Sequence, residues 1–219
     1  MSKAAVKDLV ESYQSVFRDA LTSLDPAALM RLRGELQIVS RWLDVQELPD
    51  RKRDADAALE AVSKFYQFSI EIGGFSTSTK TAESASLYDL ASVGVLAIEN
   101  VLTAEKPSLI RFLMSGLSEG LMFVGSRQYV AGTEAVLQSI YRSHALAVQD
   151  SLWSLAADFR DPETLDSIRE VRAAIGTLFE KVDEPGVPLG AKLSMLHQLY
   201  GLVAIIRCAT LVDDLRRLP

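Results

Sequence analysis

Apolar residues recur at helical spacing along most of this chain. After Asp25-Pro26, which suit the N-cap and first position of a helix, one stripe contains Leu29, Leu32, Leu36, Val39 and Trp42/Leu43. Comparable stripes predict further helices over 3–23, from about 55 to 69, over 82–104, 107–124 and 132–160, after Asp161-Pro162, and from about 189 to 216. We therefore predict an all-α fold, a helical bundle of seven or eight helices.

Two segments interrupt this pattern. LPDRKRD, at 48–54, is polar and predicts a connection with a basic run, and DEPGVPLG, at 183–190, is the clearest break in the chain. The sole candidate for a strand is FYQFSIEI, at 65–72, where apolar and polar residues alternate weakly.

The chain also contains a weak internal similarity. DPAALMRLRGELQIVSRWL, at 25–43, aligns without gaps to DPETLDSIREVRAAIGTLF, at 161–179. Two interpretations stay open: a duplication, or the general likeness of amphipathic helices that begin with Asp-Pro. We expect a single domain over 1–219. If the duplication is real, units 3–73 and 135–215 are joined by helices within 82–130, with a flexible linker at 73–81.

Composition and charge narrow the class of protein. The 219 residues are 48% hydrophobic and 24% charged, as in an ordinary globular protein, and the net charge is -6. A general attraction to nucleic acid or to anionic lipid is therefore disfavoured. Cys208 is the single cysteine, the first residues lack the apolar core of a signal peptide, and the apolar run at 202–206 is too short for a membrane span. We expect a cytoplasmic protein without membrane contact.

The segment GFSTSTKT, at 74–81, resembles a phosphate-binding loop in spacing but has Thr79 where the second glycine belongs. Lys80 and Thr81 match the last two residues of the phosphate-binding pattern. A β-branched residue is poorly suited to a conformation that glycine adopts freely, and such a loop needs a parallel sheet that this chain does not predict. We interpret the segment as a polar linker that ends with Thr81 as a helix N-cap.

No motif for metal binding or nucleophilic catalysis emerges. His144 and His197 lie in no zinc or di-iron pattern, and the isolated acids Glu99, Glu119 and Glu134 share none. Cys208 follows His197 by eleven residues, so about 16 Å of helix axis separates them. We expect no cofactor and no metal, and the balance of the sequence is against an enzyme.

Small residues form two stripes on apolar helices. Gly116 and Gly120 lie on one, while Gly201, Ala204 and Cys208, with His197, lie on the other. Small residues within helices often mark the close approach of another helix or a ligand. The stripes predict either helix crossings within the chain, or an oligomer interface or pocket wall.

The densest basic cluster is Arg51, Lys52 and Arg53, directly followed by Asp54 and Asp56. This mixture of charges is typical of a solvated helix start, and no aromatic residues for base stacking accompany it.

The sequence as a whole predicts a non-catalytic helical scaffold or subunit that acts through protein–protein contacts, by self-association or with another protein. Two alternatives remain. One is an acidic helical subunit of a nucleoprotein complex that uses Arg51, Lys52 and Arg53. The other is a small-molecule-binding or enzymatic bundle with a pocket near His197.

Overall fold

The structure is a computed structural model that describes residues 26–75, 129–157 and 173–217, apart from residues 174, 178 and 181. The helices predicted over 3–23, 82–104 and 107–124 lie outside these residues. So do residues 76–81 of the predicted linker and most of the aligned segment at 161–179.

The described residues form five helices and no strand, which confirms the all-α prediction for this part of the chain. They are α1 (Pro26–Val45), α2 (Pro49–Gly73), α3 (Glu134–Ala157), α4 (helical residues between 173 and 183) and α5 (Leu189–Arg216). Within the described ranges, the count of seven or eight helices has no support.

Helix α1 packs against α2 through the predicted stripe. The five leucine and valine residues of this stripe are almost completely buried: Leu29, Leu32, Leu36, Val39 and Leu43. Their spacing of three and four residues places them on one side of the helix, so burying this side against α2 stabilises both helices.

Helix α2 corrects one prediction and excludes the strand candidate. The helix begins at Pro49, so 48–54 is mostly its first turn and not a connection. Proline suits that position because its φ angle is preset and the missing N–H has no partner there. Residues 65–72 are helical and not a strand, because Phe65, Phe68 and Ile72 are buried at helical spacing, which outweighs the weak alternation.

A tight turn joins α1 to α2. Glu47 has a φ of 55°, the left-handed region that usually requires glycine. The N–H of Leu48 donates to the carbonyl of Leu43 at 3.1 Å, and the N–H of Glu47 donates to that of Asp44 at 3.0 Å. This pair of bonds is the Schellman motif, with Glu47 at the position where glycine is favoured.

Helix α5 is the central element of the described core and packs against α2 and α3. Its buried residues occupy most of its circumference: Leu193, Leu196, Leu199, Tyr200, Val203, Ala204, Ile206, Cys208 and Leu211. By length and composition alone, Leu189–Val212 could cross a membrane, and 87% of its most apolar window is buried inside this chain. Among the described residues, no other helix meets that criterion.

Helix α4 and the following turn close this side of the core. Ile175, Phe179 and Val182 are buried, and the Tyr141 hydroxyl of α3 donates to Asp183 at 2.7 Å. The chain then turns between 184 and 188 before α5, which confirms the predicted break. Just after the C-terminal end of α2, the N–H of Val130 donates to the backbone carbonyl of Phe75 at 3.0 Å.

The strained turn gives a prediction for stability. Glu47→Gly should raise the free energy of unfolding by about 0.5–1 kcal/mol, because glycine adopts the left-handed conformation without the clash of a Cβ atom. Gln37→Gly, in the exposed middle of α1, should instead lower it by a similar amount. Urea denaturation measures both, and destabilisation by Glu47→Gly would contradict the turn geometry.

Candidate functional site

Polar side chains from three helices meet at the edge of the core. Glu71 of α2, His144 of α3 and Tyr200 of α5 form one connected group. Ser69 and His197 form a second, and the ring of Phe68 lies between the two histidines, with ring centroids 4.9 Å from His144 and 6.3 Å from His197. The two histidines, 53 residues apart in sequence, therefore belong to one cluster, which we call the histidine cluster.

The first group is a chain of hydrogen bonds across three helices. The Nδ1 atom of His144 is 2.8 Å from the Tyr200 hydroxyl, and its Nε2 atom is 2.9 Å from the Glu71 carboxylate. Gln67 also donates to Glu71, at 2.9 Å. With Nε2–H donating to the carboxylate and the phenol donating to Nδ1, each of these groups has a partner of the right kind.

The electrostatics of the group agree with that arrangement. Burial by itself would raise the pKa of Glu71, but hydrogen bonds from Gln67 and His144 lower it below its usual value. Glu71 therefore accepts as a carboxylate. Burial, together with the nearby Glu71 charge, raises the pKa of Tyr200, so its hydroxyl keeps the proton that it donates.

The second group fixes the other histidine. The Ser69 hydroxyl donates to the Phe65 carbonyl one turn earlier, at 2.8 Å, so its oxygen accepts from Nε2 of His197 at 3.3 Å. The Phe65 ring meets the His197 ring edge-on, with centroids 4.8 Å apart. His197 is thus held against α2 by polar and aromatic contacts.

The order carboxylate, imidazole, hydroxyl is the order found in hydrolytic triads, but the surroundings differ from those of a catalytic site. Tyr200 is 1% exposed, and its pKa is raised, whereas a nucleophile needs access and a lowered pKa or an adjacent base that removes its proton. Tyr200 therefore lacks the features of a nucleophile, and the histidine cluster joins the three helices. In the part of the chain that the structure describes, no three metal-ligating side chains come together.

A partly open groove of about 280 Å³ lies nearby, where α2, α3 and α5 converge. It is lined by Ala57, Glu60, Ala61, Lys64, Asp150, Ser151, Ser154, Val203 and Arg207. His197 is not among these residues. The groove lies further along α5, and a pocket beside His197 stays a prediction.

The small-residue stripe of α5 is placed inside the chain. Ala204 and Cys208 are 0% exposed, and Gly201 is also buried. Their burial within the described part of the chain agrees with a helix crossing inside the chain, and the interface interpretation stays a prediction. Gly116 and Gly120 lie outside the described residues, as do Thr79, Lys80, Thr81, Glu99 and Glu119.

The basic cluster is largely neutralised by its own helix. The Lys52 ammonium is 2.7 Å from Asp56, and Arg53 lies 3.8 Å from Asp50 and 3.9 Å from Asp54. Asp56 also accepts from the Ser40 hydroxyl of α1. This pairing weakens the case for phosphate binding at Arg51, Lys52 and Arg53.

Sequence reasoning missed the histidine cluster. His197 and Tyr200 are three residues apart and so share a side of α5, but nothing in the sequence joins them to Glu71 and His144 on other helices. The contact between Glu71 and His144 spans 73 positions and depends on how the helices pack. Glu134, one of the three isolated acids considered as metal ligands, is exposed in the first turn of α3.

Comparison with protein-family models, with curated proteins and with solved structures finds no match for this chain. Its function is therefore inferred from its own residues.

The ionised state of Glu71 gives a prediction for pH. Because folding lowers the pKa of Glu71, its contribution to stability is present above the usual value of 4.5 and is lost as the pH falls through the lower, folded value. Glu71→Gln should be less stable than the wild type near neutral pH, and the difference should shrink in acid. Urea denaturation across this pH range measures it.

A matched control separates this effect from the simple loss of a charge. Glu60 is an exposed carboxylate on the same helix, and Glu60→Gln should change the free energy of unfolding by no more than about 0.5 kcal/mol. If Glu71→Gln followed the wild type at every pH, the hydrogen-bond chain would not hold Glu71 ionised.

Proposed function

We propose that this chain is a non-catalytic helical scaffold that associates with a second copy of itself along the outer side of α3. The observation that carries this proposal is a row of exposed apolar side chains on that helix. Val136 is 50% exposed, Leu146 is 67% exposed and Trp153 is 39% exposed.

These residues share one side of α3 with exposed polar residues. The row reads Val136, Ser139, Ser143, Leu146, Asp150, Trp153, with alternating steps of three and four residues. It lies opposite the buried side of the helix, which contains Leu137, Tyr141, Val148, Leu152 and Leu155. We call it the outer row. The same steps of three and four position the seam of a coiled coil.

The outer row is suited to antiparallel pairing with itself. A twofold axis between Ser143 and Leu146 sets Val136 against Trp153 of the second copy, and Trp153 against its Val136. Ser139 then faces Asp150, so a hydroxyl donor meets a carboxylate acceptor. Since α3 has 24 residues and is about 36 Å long, it offers a contact of several turns.

Burial of this row has a favourable free energy. Complete burial of a valine or leucine side chain contributes about 1.5–3 kcal/mol, and a twofold contact buries each residue twice. Tryptophan is also among the residue types that contribute most to protein interfaces. The partial exposure in one copy means that the gain per residue is smaller than these full values.

Helix α1 also has exposed apolar residues, Met30, Ile38 and Val45, but its outer side is less suited to self-pairing. Arg41 lies among them, and Gly34 contributes no side chain to fill a contact. This helix therefore provides a comparison surface for experiments.

Further predictions from the sequence stay proposals. We propose that the 219-residue chain has seven or eight helices and is cytoplasmic, and a duplication of units 3–73 and 135–215 stays one of two interpretations. The support is the helical periodicity outside the described residues and the gap-free alignment of 25–43 with 161–179. Gly116 and Gly120 remain proposed as a further contact surface.

A single charge in the outer row should abolish the association. Leu146→Glu places a carboxylate near the twofold axis, where burial without a partner is costly. We expect a mass near 48 kDa for the wild type in light scattering, twice the 24.0 kDa of one chain, and 24.0 kDa for the variant. Ile38→Glu makes a similar change on α1 and should keep the larger mass.

The three masses distinguish the possible surfaces. A wild type of 24.0 kDa at all concentrations would overturn self-association. Loss of the larger mass in Ile38→Glu but not in Leu146→Glu would move the interface to α1. Denaturation curves of both variants show whether either has simply lost its fold.

Cysteine cross-linking should reveal the direction of pairing. When Val136→Cys and Trp153→Cys chains are mixed and oxidised, antiparallel pairing predicts disulfides between unlike chains. Like positions would be about 25 Å apart along the axis, since 17 residues separate them, which is too far for a disulfide. Cys208 is buried and should not compete. Cross-links between like chains on non-reducing gels would contradict the proposed direction.

A further inference from the structure

The groove between α2, α3 and α5 has a small apolar floor and a charged rim. Ala57 and Ala61 of α2 and Val203 of α5 are short side chains, and they leave the space open. Its volume of about 280 Å³ is close to the lower end of ligand pockets, which run from roughly 300 to 1,000 Å³. A small molecule of a few heavy atoms fits such a space.

Two cations on different helices converge on neighbouring serines. The Lys64 ammonium of α2 is 3.4 Å from the Ser151 hydroxyl, and the Arg207 guanidinium of α5 is 3.2 Å from the Ser154 hydroxyl. Ser151 and Ser154 are three residues apart on α3 and so adjacent on its surface. The Ser151 hydroxyl donates a hydrogen bond to the Ala147 carbonyl at 2.8 Å. The hydroxyl oxygen therefore accepts from Lys64.

Two acids line the groove beside these cations. Glu60 lies one turn before Lys64, with its carboxylate 2.7 Å from the ammonium, and Asp150 is at the rim on α3. The Glu60–Lys64 pair is partly exposed, and such pairs on a helix surface contribute little to stability. A ligand can therefore separate them at little cost.

We propose that this groove binds a small zwitterion of the amino-acid class, which has one carboxylate and one ammonium group. The carboxylate lies between Lys64 and Arg207, and the ammonium faces Glu60 or Asp150. This binding site is additional to the proposed scaffold function.

The charges on the rim favour a zwitterion over a simple anion. An anion that takes Lys64 from Glu60 leaves the Glu60 carboxylate without its cation and adds a second negative charge beside it. A zwitterion supplies Glu60 with a new cation at the same time, so Lys64 and Glu60 each keep an opposite neighbour. A ligand with only a positive charge is also disfavoured, because it competes with Lys64 for the Glu60 carboxylate.

Nuclear magnetic resonance of the complete, ¹⁵N-labelled chain tests this proposal, with glycine and L-alanine as probes and acetate and methylammonium as half-ligands. We expect saturable shifts of the amide signals of Lys64, Ser151, Ser154 and Arg207 with both amino acids. Each half-ligand should bind at least about tenfold more weakly, since it lacks one set of charge-assisted hydrogen bonds.

Three variants locate the site. Arg207→Gln should weaken binding by about tenfold or more, and Ala57→Leu should prevent it by filling the floor while all charges remain. Arg53→Gln removes a cation from the same helix as Lys64, outside the groove, and should bind as the wild type does.

The titrations are repeated in Leu146→Glu, because Asp150 belongs to both the outer row and the groove. Binding in this variant supports the groove whether or not the chain self-associates. Absence of saturable shifts in both backgrounds would overturn the proposal, as would equal affinity for acetate or unchanged binding in Ala57→Leu.

Discussion

The burial of α5 is the constraint on which the described structure depends. Most of its circumference is apolar, so one neighbouring helix cannot cover it. Helices α2 and α3 both pack on it, and its small residues Ala204 and Cys208, fully buried, are consistent with a close approach. Helix α1 is then held in place through α2. Because α3 uses one side to cover α5, its opposite side is left with the exposed row of Val136, Leu146 and Trp153.

The same constraint makes an unpaired polar side chain costly wherever it lies against α5. A buried hydroxyl or imidazole without a partner costs about 1–3 kcal/mol. Tyr200 and His197 project from the buried helix, and Glu71, His144 and Ser69 from the surrounding helices meet them. These hydrogen bonds join specific points on three helices, whereas apolar packing by itself tolerates small shifts between them. The histidine cluster thus sets the positions of α2, α3 and α5 relative to one another, and with them the groove.

Some elements of the structure were predictable from the sequence, and others were not. The α1 stripe and the limits of α5 were predictable, since periodicity and breaks are local properties. The start of α2 was predicted wrongly because 48–54 is polar and was interpreted as a connection. Polar residues also suit a helix surface, and the ion pair of Lys52 with Asp56, four residues later, stabilises the helix there. The contacts of His144 with Glu71 and Tyr200, and of Lys64 with Ser151, were not predictable. They arise when distant helices pack, and no spacing in the chain encodes them.

The central claim is that the outer row of α3 pairs with a second copy in antiparallel fashion. Its most direct test is an isotope-filtered nuclear Overhauser experiment on a mixture of labelled and unlabelled chains, which detects contacts between copies alone. The account predicts signals between the Val136 methyl groups of one copy and the Trp153 indole of the other. Intermolecular signals confined to other surfaces, or none in a sample at high concentration, would contradict it.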